Sequence, residues 1–162
     1  MGLSIKSHSN MYTLKSVAVV PISVSEAWTF FSSPENLAKI TPPEMNFSIT
    51  SGTPKKAYTG QIISYKVSLT KFIRINWVTE ITSVNFENYF VDEQRFGPYK
   101  MWHHEHFFEK IDDHNCKLID IVSYKLPFGI IGKWGHKLFI KKDLHNIFEF
   151  RSKKVNELFI RD

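Results

Sequence analysis

Residues 90–109 read Phe90-Val91-Asp92-Glu93-Gln94-Arg95-Phe96-Gly97-Pro98-Tyr99-Lys100-Met101-Trp102-His103-His104-Glu105-His106-Phe107-Phe108-Glu109, two alternating runs parted by Gly97-Pro98. Side chains alternate between the two faces of a strand, and Gly-Pro is turn chemistry, so the stretch predicts a β-hairpin. In its second run Trp102, His104, His106 and Phe108 share one face, while Met101, His103, Glu105, Phe107 and Glu109 share the other. The second face carries both carboxylates and belongs in water. The first therefore turns inward and takes two imidazoles with it, whereas the adjacent His103 reads as exposed.

Working outward from the hairpin, the same period-two pattern recurs at 12–20, 45–50, 60–69, 72–82, 87–96, 99–110 and 116–125, which predicts seven strands. Short separators such as Ser51-Gly52-Thr53-Pro54 and Asp112-Asp113-His114-Asn115 fit antiparallel hairpins or meanders. Between the first and second of these strands the pattern breaks. Ser25 reads as an N-cap, and Ser33-Pro34-Glu35 places proline at a first helical position, so two short helices are expected before Thr41-Pro42-Pro43. After Leu126-Pro127-Phe128-Gly129 the period becomes helical, with Ile130, Trp134, Leu144, Phe148, Val155 and Phe159 on one face. Gly132 and Gly135 weaken the first turns by about 1 kcal/mol each. Lys137 and Lys141 fall on the apolar side, either as snorkelling lysines or as cationic ends of a lid at a pocket mouth. The expected architecture is α+β: a curved seven-stranded antiparallel sheet wrapped around a long C-terminal helix, an arrangement that leaves room for a cavity.

Composition narrows the function classes. The 162 residues fit one domain, 12–162, behind a polar leader, 1–11, and the 14 Phe, 4 Trp and 6 Tyr supply apolar surface for a core or a cavity wall. Trp28, Phe30 and Phe31 read as helix-to-sheet core. A single cysteine, Cys116, excludes an internal disulfide and fits a reducing, cytoplasmic compartment. The net charge of +5 comes largely from Lys133, Lys137, Lys141, Lys142, Arg151, Lys153 and Lys154, spaced like the solvated face of a helix, so no nucleic-acid partner is expected. No run reaches the roughly 20 apolar residues that span a bilayer, so no stable membrane insertion is expected.

Several motifs occur together along almost the whole chain. They are Phe30-Phe31-Ser32, Asn36-Leu37, Thr41-Pro42-Pro43, Trp77 with Ile81, Asp92 and Gln94 ahead of Gly97-Pro98, Trp102 with His104 and His106, Asp120 with Tyr124, then Pro127 and Gly129. In this combination the chain resembles the START-like, helix-grip (SRPBCC) superfamily, which includes birch-pollen-allergen-like and polyketide cyclase/dehydrase-like proteins. Within it the chain is similar to a bacterial branch, some of whose members have been labelled cell-division-inhibitor-like. Ser68-Leu69-Thr70-Lys71 lacks the glycine that relatives often place in that turn, and residues 1–10 match nothing. The resemblance implies a hydrophobic cavity between sheet and helix for a lipid, sterol-like, polyketide or aromatic molecule.

With Gly97-Pro98 as the turn, Asp92 falls beside His104 and Gln94 beside Trp102; across the next turn His106 falls beside Asp120 and Trp102 beside Tyr124. The cavity residues expected are Trp77, Phe90, Asp92, Gln94, Trp102, His104, His106, Asp120 and Tyr124 from the sheet, with Trp134 and Leu138 from the helix. Buried carboxylates need partners, and imidazoles supply them, so the two Asp-His pairs are mutually sensible. They serve as a satisfied network that rigidifies the sheet, as polar contacts for a ligand head at His104 or Gln94, or as a general base formed by His104 oriented by Asp92, in a cyclase or dehydratase reaction. His104-Glu105-His106 also has metal-like spacing, and Asp92 or Asp120 could serve as a third ligand, but closed transition-metal sites generally need three or four well-placed ligands, and neither a metal nor another cofactor is assigned. The reading carried forward is a ligand binder, with a polyketide cyclase/dehydratase-like enzyme as the alternative.

Overall fold

The stretch that decides the fold does form the hairpin. In the computed structural model, β6 (Tyr89–Phe96) and β7 (Met101–Lys110) pair antiparallel, with Asp92 opposite His104 and Phe90 opposite His106. Strand β8 (Cys116–Lys125) continues the sheet, with His106 opposite Asp120 and Trp102 opposite Tyr124. The structure describes residues 2–52, 56–69, 72–127 and 140–159.

The described sheet has eight strands, not seven, in the order β1-β2-β8-β7-β6-β5-β4-β3, with every neighbouring pair antiparallel. The additional strand is β1 (Gly2–His8), which lies within the stretch expected to be a polar leader and pairs along its whole length with β2 (Met11–Val20). Ser9 and Asn10 both take positive φ, 47° and 62°, the backbone of a two-residue hairpin turn whose twist matches that of the strands. The remaining strands are β3 (Ser48–Ile49), β4 (Gln61–Ser68) and β5 (Arg74–Asn85). Pairing of β5 with β6 slips between Val78 and Thr79 and again between Ile81 and Ser83. Such irregularities bend a strand and add twist, which helps the sheet to curl.

The short helices sit in the predicted stretch, but this lies between β2 and β3 because β1 precedes it. Helix α1 (Val24–Phe31) starts at Ser23 and not at Ser25. Ser23 and Glu26 form a reciprocal capping box, Ser23 Oγ accepting from the Glu26 backbone N–H and Glu26 Oε2 accepting from that of Ser23. A 3-10 helix, Pro34–Ile40, follows with proline at its start, then a single turn, Pro43–Met45; of the strand expected over residues 45–50, only Ser48–Ile49 is extended.

Helix α2 (Lys141–Phe159) lies across the sheet and buries Leu144, Phe148 and Val155. Leu144 and Phe148 join Leu14, Val122, Tyr124 and Leu126 in one apolar cluster, while Val155 enters a second with Trp28, Ile81, Phe90 and Phe108. Trp28 meets Phe108 and Phe90 edge-on, at 5.4 and 6.1 Å between ring centroids, so its role is the core one expected. The predicted helical positions Ile130, Gly132, Trp134, Gly135, Lys137 and Leu138 lie outside the described residues.

Candidate functional site

Strand alternation carries Asp92, His104, His106 and Asp120 to the concave face, where four side chains from three adjacent strands meet. Their backbone register is the predicted one, and the side chains add diagonal contacts to it. His104 Nε2–H donates to Asp120 Oδ1 at 3.1 Å, and His106 Nε2–H donates to Asp92 Oδ2 at 2.9 Å. His106 Nδ1 also lies 2.9 Å from Asp120 Oδ1, whereas His104 Nδ1 stands 3.6 Å from Asp92 Oδ2. His106 thus bridges two carboxylates through both ring nitrogens, and Asp120 holds both imidazoles through a single oxygen. The rings lie 3.7 Å apart between centroids, and Phe90 stacks on His106 at 4.2 Å.

A fifth member comes from α2. Arg151 Nη1 is 3.5 Å from Asp120 Oδ1, with side-chain exposure of only 15%, and its guanidinium carbon lies 5.1 Å from the centre of the Phe148 ring. Sequence reading had placed Arg151 among the solvated basic residues. The signal was present, since Leu144, Phe148, Arg151 and Val155 fall at i, i+4, i+7 and i+11, which puts Arg151 in the middle of the apolar stripe. In contrast, Lys141 is exposed at the start of α2.

Burial disfavours every charge in this group, and neighbours decide which charges survive. Burial and then the adjacent His106 push His104 down to about 4, which makes it a neutral imidazole. Burial also acts against the His106 cation, but its bonds to Asp120 and Asp92 outweigh this and raise its pKa. Asp92 and Asp120 feel the same desolvation; bonds from the imidazoles and the charge of Arg151 reverse it, and Asp120 lies well below the usual carboxylate range. The two carboxylates are thus faced by a guanidinium and by His106, whose protonated form they favour, so the buried charges are not left without partners.

One wall of a cavity of about 1020 Å³ is formed here. Of the residues predicted to line it, Trp77, Phe90, Asp92, Trp102, His104 and His106 do so. Asp120 does not, because it stands behind the imidazoles that it holds. Nor does Tyr124, fully buried and stacked on Tyr12 at 5.5 Å. Gln94 is occupied elsewhere, for its amide donates to the Tyr99 carbonyl at 2.7 Å and accepts from the Tyr99 N–H at 3.2 Å, clamping the hairpin turn away from the cavity. Trp134 and Leu138 lie outside the described residues. His103 is on the outer face, at 2.8 Å from Glu93, and is partly exposed.

The rest of the wall was not predicted residue by residue. Phe31, Ile40 and Pro42 bring the short helices to the rim, and Ile140, Leu144, Ile147 and Arg151 bring α2 across it. Tyr65 and Thr79 add a polar pair with 3.0 Å between their oxygens. Three buried polar atoms on lining residues meet no hydrogen-bond partner among the described residues: Ser32 Oγ, Trp77 Nε1 and Arg151 Nε. Two of them are N–H groups, which only donate.

An eight-stranded antiparallel sheet packed against a C-terminal helix beside a cavity is a helix-grip-like fold, and solved structures that share it include START-like proteins. The Zhui aromatase/cyclase from Streptomyces sp. R1128 superposes with a TM-score of 0.71 at 11% identity, covering 91% of this chain and 92% of that one. A START superfamily protein from Mycobacterium smegmatis gives 0.67 at 12% identity over 90% and 98% of the two chains. A point mutant of norcoclaurine synthase from Thalictrum flavum, in complex with a transition-state analogue, gives 0.62 at 15% identity over 97% and 98%. No protein-family model and no curated protein matches the sequence, so the likeness is one of fold.

Proposed function

We propose that this chain binds a small, largely apolar molecule in the cavity, with an oxygen acceptor at one end directed at Arg151 and the imidazole wall. The observation that carries this reading is the cavity itself: about 1020 Å³, faced mainly by aromatic and aliphatic side chains, with its buried charges gathered in one seam. Ligand sites in proteins have this composition, an apolar wall for affinity and a few polar groups for orientation. The unpartnered N–H groups of Trp77 and Arg151 favour a ligand that brings acceptors, such as a carboxylate, phenolate or carbonyl oxygen. Lipid, polyketide and aromatic acids are the classes that fit, and the aromatase/cyclase among the structural neighbours is in keeping with them. No helix among the described residues is long and apolar enough to cross a membrane.

The test is displacement of an anionic apolar dye, 1-anilinonaphthalene-8-sulfonate, by a matched pair of a long-chain carboxylic acid and its alcohol. The acid should displace the dye at concentrations about tenfold lower than the alcohol, the value of one buried hydrogen bond. Equal displacement by the two would remove the polar-head part of the proposal, and no saturable dye binding would remove the cavity reading altogether.

A second reading is a lyase or cyclase in which His104 acts as the general base. Its support is the geometry at His104, where a neutral ring that donates from Nε2–H to Asp120 carries its lone pair on Nδ1, on the side of Asp92. The orienting carboxylate is then Asp120, where sequence reasoning had chosen Asp92. Turnover of a polyketide-like substrate that is lost in His104→Ala while dye binding persists would favour this reading over simple binding.

A further inference from the structure

The carboxylates of the seam do different work. Asp120 Oδ1 takes up His104 Nε2 and His106 Nδ1, one nitrogen of each imidazole. The other nitrogens, His104 Nδ1 and His106 Nε2, are thereby both aimed at a single atom, Asp92 Oδ2, at 3.6 and 2.9 Å. Donor atoms of Asp92, His104 and His106 all lie within 4.8 Å of one another.

We propose that Asp92, His104 and His106 bind one divalent first-row transition-metal ion, with His104 Nδ1, His106 Nε2 and Asp92 Oδ2 as ligands and Asp120 as the group that orients both imidazoles. An ion with bond lengths of about 2.1 Å separates neighbouring ligand atoms by about 3.0 Å in octahedral geometry and about 3.4 Å in tetrahedral geometry, close to the 2.9 and 3.6 Å between Asp92 Oδ2 and the two imidazole nitrogens. The ion displaces the hydrogen between His106 Nε2 and Asp92 Oδ2, and side-chain rotation makes room for two bonds of about 2.1 Å where 2.9 Å now separates the atoms. Two imidazoles and one carboxylate suit Zn²⁺, Co²⁺, Ni²⁺ or Fe²⁺, and not Ca²⁺ or Mg²⁺, which prefer all-oxygen shells. Outer carboxylates that fix the ring orientation of ligating histidines are a recurrent part of such sites, and Asp120 stands in that relation to both rings. All three proposed ligands line the cavity, so the remaining coordination positions are reached from inside it, where an oxygen of a bound molecule can enter.

From the sequence, Asp92 and Asp120 were both open as a third ligand, and strand register alone does not choose between them. Two histidines at i and i+2 share a strand face, but the third ligand becomes a ligand only because Asp120 turns both rings toward it. The inference stands independently of the apolar-ligand reading and is tested without any such molecule present.

Chelator-treated protein titrated with Co²⁺ should bind one equivalent and develop visible d–d absorption, which Zn²⁺ then abolishes. In protein carrying ¹⁵N-labelled histidine, Zn²⁺ should shift the ring resonances of His104 and His106 and leave those of the other five histidines in place. Asp120→Asn should keep the stoichiometry and weaken binding about 10- to 100-fold, while His103→Ala, on the outer face, should change nothing. Less than a tenth of an equivalent of Co²⁺ bound at millimolar concentration overturns the proposal. So does stoichiometric binding that perturbs only other histidines. The labelled wild-type experiment decides the matter even if His104→Ala or His106→Ala fails to fold.

Discussion

Asp120 is the residue on which the seam turns, because one of its oxygens faces two imidazoles and a guanidinium. Asp120→Ala removes the acceptor and leaves these donors buried, so we expect a loss of about 3–5 kcal/mol, the usual penalty for breaking a buried pair from one side. Asp120→Asn keeps a carbonyl acceptor and should lose less, about 1–3 kcal/mol; urea denaturation of the two variants measures the difference. Trp77→Phe makes the opposite kind of case. The indole N–H meets no acceptor among the described residues, so its removal should leave stability within about 1 kcal/mol while weakening an acceptor-bearing ligand several-fold in the dye-displacement assay. Cys116 is fully buried, and burial pushes its thiol up to about 11. Because the thiolate is the reactive form, alkylation at pH 8 should be slow in the native protein and fast once denaturant is added. Equal rates in both states would show that the thiol is open to solvent.

At the scale of elements, what the sequence disclosed depended on whether a local rule was strong enough to stand alone. The register of β6 with β7 was legible, with Asp92 opposite His104, but pairing stops at Glu93 and His103 and does not reach the expected Gln94–Trp102 pair. Gly97 has a further role there, for a Cβ at this position would collide with the side chain of Gln94, which clamps the turn. Strand β1 was not legible. Its apolar residues Leu3 and Ile5 are only half-buried, and its turn is made by Ser9-Asn10, without the glycine that usually marks such a turn. The start of α1 was misplaced by two residues because Ser25 and Ser23 are both acceptable caps taken singly. The Ser23-to-Glu26 reciprocity decides between them, and Ser23→Ala should lower stability by about 1 kcal/mol, whereas Ser25→Ala should have little effect in the same melt.

The whole molecule depends on α2 closing over the sheet. Leu144, 4% exposed, packs in the cluster that joins helix and sheet, and Leu144→Ala should cost about 2–5 kcal/mol by equilibrium unfolding, toward the lower end if the site collapses. The candidate site shows where sequence reasoning stops. Face parity within strands brought Asp92, His104, His106 and Asp120 together correctly, since alternation is a property of each strand by itself. It could not separate residues that line the cavity from those behind them, such as Asp120 and Tyr124, because that distinction depends on what α2 and the short helices cover. Arg151 was missed for the same reason: a charge on an apolar stripe makes sense only when the opposing carboxylate is in view.

The sheet ends, at one side, in the two residues of β3 and, at the other, in β1 with Lys6 in its middle. A strand of two residues offers too few free backbone groups to recruit another chain, and a lysine on an edge strand discourages stacking. Loss of β1 would uncover the edge of β2 from Met11 to Val17, where Lys15 is the single charged residue. A chain beginning at Met11 should therefore show its defect first in light scattering, as self-association that grows with protein concentration. On that view the first ten residues guard the solubility of the fold: they occupy a backbone edge that would otherwise be open to a second copy.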